Sequence, residues 1–78
     1  MSDDSEVWHW GAANWSVDGR PPSGGPYSTK EDARNAAQSY YDDANRTHRK
    51  VRCHGGRIVA VYLHCPTTNT KTEVYLTP

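Results

Sequence analysis

The hydrophobic positions of this chain change spacing three times, and each spacing predicts an element. From Val7 to Val17, Trp8 and Trp10 alternate with His9, and Trp15 and Val17 flank Ser16. Period two is the spacing of a strand. Gly11 to Asn14 supplies turn formers, which predicts a hairpin with Trp10 facing Trp15 and Trp8 facing Val17. Four apolar side chains then share one sheet face as core. Cross-strand pairs of this kind contribute roughly 0.2–1 kcal/mol each.

Next comes DGRPPSGGPYS, Asp18 to Ser28, whose three prolines and three glycines predict a loop. From Ser28 the spacing becomes helical. Ala33, Ala36, Ala37, Tyr40, Tyr41 and Ala44 fall on one stripe, and small residues there let a helix lie close to a sheet. Ser28 with Glu31, or Thr29 with Asp32, can close a capping box. Glu31 and Asp32 sit where the helix dipole favours negative charge, and Arg46, His48 and Arg49 suit its other end.

The stretch VRCHGGRIVAVYLHC, Val51 to Cys65, predicts two strands joined at Gly55-Gly56. That pairing sets Cys53 opposite Ile58 and Val51 opposite Ala60. Ile58 to Leu63 is apolar on both alternations, as in a central strand, so Val59, Val61 and Leu63 are expected to emerge on a sheet face the helix leaves bare. Pro66 to Thr70 turns the chain, and Thr72 to Leu76 forms a last, edge strand. The fold expected is α+β in two layers, a mainly antiparallel sheet with elements in the order ββαβββ and one helix on one face. Residues 1–5 are expected to be a flexible tail and 6–78 a single domain.

Composition narrows the chemistry. The 78 residues contain no Phe, so three Trp and five Tyr must supply much of the core. On the predicted hairpin, Cys65 lies seven residues beyond Cys53's partner, over roughly 20 Å along the strand, too far for a disulfide or for a shared zinc ion. No cofactor motif is present: the twin glycines of the loop lack the strand before them and the Gly-Lys-Ser/Thr after them that a phosphate cradle requires. The four histidines fall on different elements, and Asp42 and Asp43, adjacent on a helix, diverge by about 100°. Catalysis, a metal, a cofactor and a small-molecule substrate are therefore not expected. No apolar run is long enough to span a bilayer, and no stretch of these residues resembles a signal peptide. A cytoplasmic protein without membrane contact is expected, and the two Asn-x-Ser/Thr tripeptides carry no weight.

Zero net charge conceals a split. Residues 1–43 hold eight acids against three bases, and residues 44–72 hold six bases and no acid. Two binding modes follow. A bare sheet face, an edge strand and exposed Tyr point to a protein partner, with Val59, Val61, Leu63, Tyr75, Asp42 and Asp43 as contact residues and a homodimer as one form of it. Alternatively, Arg46, Arg49, Lys50, Arg52 and Arg57, at the helix end and the Gly55-Gly56 turn, point to nucleic acid.

NWSVDGRP, YSTKEDARNAA and HGGRIVAVY together resemble small bacterial and phage domains of unknown function, in which a Trp-bearing strand leads to a T-K-E-x-A helix start and a G-x-I turn. The architecture also resembles the compact α+β inhibitors that phages encode against host defence complexes. That likeness is one of architecture and carries over no functional residue. It implies a protein-binding inhibitor, and the charge split adds a form of it in which the acidic residues Asp18, Glu31, Asp32, Asp42 and Asp43 occupy a partner's nucleic-acid groove.

Overall fold

The computed structural model describes residues 6–54 and 58–77. It is a small α+β fold in which one helix covers one face of a mainly antiparallel four-stranded sheet. In chain order the elements are β1 (Trp8–Ala12), β2 (Trp15–Val17), β3 (Ser23–Tyr27), α1 (Lys30–Arg46), β4 (Val51–Cys53), β5 (Ala60–Cys65) and β6 (Thr70–Tyr75). The large sheet runs β3-β1-β5-β6, and β2 and β4 form a separate two-stranded ribbon.

The helix follows its sequence signals closely. Thr29 is the N-cap, its hydroxyl accepting the Asp32 amide at 3.0 Å. At the other end His48 takes a left-handed φ of 60°. Its amide bonds Asn45 O, and that of Arg49 bonds Ala44 O, which is a Schellman closure built without glycine. Ala33, Ala37 and Ala44 are buried, and Tyr40, Tyr41 and Ala36 pack beside them.

The strand pairing departs from the expectation in three places. First, β1 and β2 are not a hairpin. β1 pairs with β3 and β5, whereas β2 pairs with β4, so Trp15 lies opposite Cys53 and Val17 opposite Val51. Trp8, Trp10, Trp15 and Val17 nevertheless share the core. The Trp10 and Trp15 rings stack at 6.3 Å and 3°, and Tyr41 meets Trp15 edge-on at 5.4 Å. The alternation correctly marked these side chains as buried but could not say which backbones bond.

Second, Cys53 is not opposite Ile58, nor Val51 opposite Ala60. β5 lies between β1 and β6, and Ala60 faces Tyr75. The Gly55-Gly56 turn itself lies outside the described residues. Cys53 and Cys65 are not joined by a disulfide, and they stand in different sheets rather than on one hairpin.

Third, the Pro/Gly loop contains strand β3. Its position explains its composition. An edge strand tolerates Pro26, and the cis Gly25-Pro26 bond lies within it. A Cβ on Gly24 would fall 2.5 Å from Trp10 Nε1, and one on Gly25 2.5 Å from His9 Nδ1. The glycines are what lets β3 close over β1. The preceding Asp18-Gly19 pair, both at positive φ, forms the tight turn that returns Arg20 to Val17.

Candidate interaction surface

The helix packs chiefly on β3, β1 and β5, and β6 is the edge strand farther from it, opposite the β3 edge. Backbone parity shows which groups that edge presents. Leu76 N donates to Val59 O at 2.8 Å, and polar groups alternate along a strand. Val74 and Thr72 therefore turn their N–H and C=O toward β5, while Lys71, Glu73 and Tyr75 turn theirs outward. The same parity on β5 faces Ala60, Tyr62 and His64 toward β1, in agreement with the bond from Ala13 N to Ala60 O.

The two ends of this edge are closed. Asn69, at φ 54°, ends the turn before β6. Beyond Tyr75, the Gln38 side chain occupies Thr77 as a surrogate strand. Its Nε2 donates to Thr77 O, and its Oε1 accepts from Thr77 N, both at 2.8 Å. The backbone left open to a partner is thus the span from Thr70 to Tyr75.

The side chains beside the edge are aromatic and polar. On the face away from the helix, β1, β5 and β6 align His9, His64 and Lys71 in one row and Gly11, Tyr62 and Glu73 in the next. The Lys71 ammonium lies 4.3 Å from the Tyr62 ring centroid, a cation–π contact. An open hollow of about 310 Å³ lies among His9, Gly11, Tyr62, His64 and Lys71. Tyr75 is 60% exposed and Ile58 57%. On the helix side, the half-buried Val74 and the buried Leu63 floor a groove of about 440 Å³ walled by Lys30, Glu31 and Arg34.

The residues singled out from sequence divide sharply. Tyr75 lies on this surface. Val59, Val61 and Leu63 do not: they are buried core, because β5 turns that alternation toward the helix and gives the open face Tyr62 and His64. Asp42 and Asp43 are exposed on α1, but Asp43 is held by Arg46 and Asp42 accepts the Gln38 amide. Glu31 and Asp32 lie about a dozen residues earlier on the helix, roughly 16 Å away at 1.5 Å per residue, so the acidic set is not one patch.

The basic set is likewise partly spent. Arg49 bonds Asp18 at 2.9–3.0 Å and lies over the Tyr40 ring. The Arg49 guanidinium, and after it the Lys50 amide, hold the Asp18 carboxyl below its ordinary range. Arg46 is paired with Asp43. Lys50 and Arg52 are exposed, and Arg57 lies outside the described residues.

Sequence reasoning missed the row of His9, His64 and Lys71, because it depends on β1 pairing with a strand some fifty residues later. It also read Cys65 only as a strand end. Cys65 is fully buried there, and burial pushes its thiol up. The Thr68 hydroxyl and the amides of Thr68, Thr67 and Val7 more than offset this and leave the thiol below its usual value. Among the described residues no three His, Cys, Asp or Glu side chains gather where a metal could bind, and no helix is long and apolar enough to cross a membrane. No family model, curated protein or solved structure matches this chain.

Proposed function

We propose that this chain is a non-catalytic binding module that takes a protein partner along the free edge of β6. One observation carries the reading: the six-residue edge strand β6 turns the backbone groups of Lys71, Glu73 and Tyr75 outward beside exposed Tyr75 and Tyr62. An open edge of this kind is a template for strand addition, in which main-chain bonds give affinity and flanking side chains give selectivity. The inhibitor role implied by the resemblance needs a surface of this sort and no catalytic group.

The nucleic-acid reading draws less support, since Arg46 and Arg49 are already paired with Asp43 and Asp18. The test combines two measurements. Tagged chain is used to capture proteins, with Glu73→Pro as the control. That proline removes an outward N–H while leaving the β5 ladder intact. Retention on a DNA column is followed against salt. Proteins retained by the wild type and lost with Glu73→Pro, with no salt-dependent DNA retention, are expected. Salt-sensitive DNA retention abolished by Lys50→Ala with Arg52→Ala would overturn the reading.

A further inference from the structure

We infer that the partner taken by β6 is a second copy of this chain, paired antiparallel in a register centred on Thr72; the inference rests on the edge-binding reading above. The closed ends of the edge and the parity of β6 leave few ways to do this. Gln38 occupies Thr77, and the chain turns at Asn69, so pairing must fit within Thr70 to Tyr75. Within that span only Lys71, Glu73 and Tyr75 can supply hydrogen-bonded pairs, because theirs are the outward groups; centring on Thr72 uses Lys71 and Glu73. A two-fold arrangement within that span is centred on Thr72 or on Glu73.

Centring on Glu73 sets two like carboxylates directly opposite each other, which is unfavourable. Centring on Thr72 sets Lys71 opposite the partner's Glu73 and, by symmetry, Glu73 opposite the partner's Lys71. Two opposite-charge pairs then flank a Thr–Thr pair, and Tyr75 lies diagonal to the partner's Lys71. On the helix side, Val74 comes opposite the partner's Thr70, so the half-exposed Val74 beside the groove gains a neighbour. The interface is isologous and closes on itself, so the two β6 edges consume each other and only the β3 strands remain as edges of the joined sheet. The result is a continuous eight-stranded sheet with both helices on one face.

Charge reversal tests both partner and register. Sedimentation of the full chain across a concentration series is expected to show a monomer–dimer equilibrium. Lys71→Glu or Glu73→Lys alone opposes like charges at both pairs and is expected to weaken the dimer by about tenfold or more. The double variant Lys71→Glu with Glu73→Lys restores opposite pairs and is expected to return to within about threefold of wild type. Circular dichroism of each variant confirms that the monomer folds. A dimer that both single reversals leave unchanged, or that the double variant fails to restore, overturns the register. A chain that stays monomeric at the highest concentration overturns self-pairing. If that monomer still captures a foreign protein that Glu73→Pro releases, the edge-binding reading survives alone. If it captures none, both fall.

Discussion

The Asn14–Trp15 joint and the β6 edge sit at opposite ends of the packing scale. At the joint, nearly every polar group is committed. The Asn14 side chain donates to Ile58 O and accepts from Ala60 N, the Asn14 main-chain carbonyl accepts from His54 N, and Trp15 Nε1 donates to Ala60 O. This one dipeptide fastens the segment before β5 to the start of the β2–β4 ribbon. Along β6 the outward backbone has no strand paired to it among the described residues, and Tyr75 is 60% exposed. In a chain of 78 residues, where each buried group is a large share of the core, the contrast separates what the fold requires from what is left for a partner.

Truncation at the joint is the severest way to break the comparison. Trp15 is 1% exposed and touches Trp10, Tyr40 and Tyr41. Trp15→Ala is expected to cost about 3–5 kcal/mol, from lost burial and the cavity left behind. That is most of the stability a domain of this size has, so urea denaturation should find the variant largely unfolded in water. Asn14→Ala should cost about 1–3 kcal/mol, because the Ala60 amide loses its acceptor in a partly buried site. A measured loss below about half a kcal/mol would mean that water replaces the side chain and that the joint is less committed than its bonds suggest.

The joint also shows where the sequence was readable and where it was not. The helix was legible, because its cap and stripe are written in residues at most four apart, whereas its closure at a left-handed His48 has no glycine to announce it. The tryptophan core was legible as burial, since Trp8, Trp10, Trp15 and Val17 alternate whatever their partners. Pairing was not. Gly55-Gly56 suggested a hairpin, but β4 is only three residues long and bonds to β2, far earlier in the chain, while β5 joins β1 and β6. Exchanging those neighbours turned Val59, Val61 and Leu63 inward and brought Tyr62 and His64 to the surface. Strand β3 was hidden because proline and glycine carry no strand propensity. Their reason is steric: Trp10 and His9 leave no room for a Cβ at Gly24 and Gly25. The edge strand, by contrast, was placed from its turn and its alternation alone.

A smaller effect is expected where the ribbon meets the end of the helix. Asp18 accepts from the Arg49 guanidinium and the Lys50 amide, which depress its carboxyl in the folded chain. A depressed folded value means a contribution to stability that is present above the unfolded carboxyl's pKa, about 3.9, and is lost as pH falls through the folded value. The melting temperature of the wild type should therefore fall on acidification from about pH 5 toward pH 2, and Asp18→Asn should flatten part of that slope. Both partners are solvent-exposed, so the difference should be modest and should shrink further in high salt. An identical slope in the two proteins would show that this contact adds nothing to the fold.

The smallest effect belongs to the edge, and there its smallness is the informative result. Tyr75→Ser removes an aromatic ring, as Trp15→Ala does, yet Tyr75 is 60% exposed and lies opposite the small Ala60. At protein concentrations too low for self-association, its cost should stay below about 1 kcal/mol, the span of strand propensity alone. At higher concentration the wild type should become more resistant to heat and the variant less so, because a partner that binds only the folded chain stabilises it by mass action. A loss above about 2 kcal/mol in the dilute monomer would place Tyr75 in the core and end the distinction between the two regions. A small loss in the monomer with a clear loss of the concentration dependence would show an aromatic side chain held outside the fold for contact with another chain.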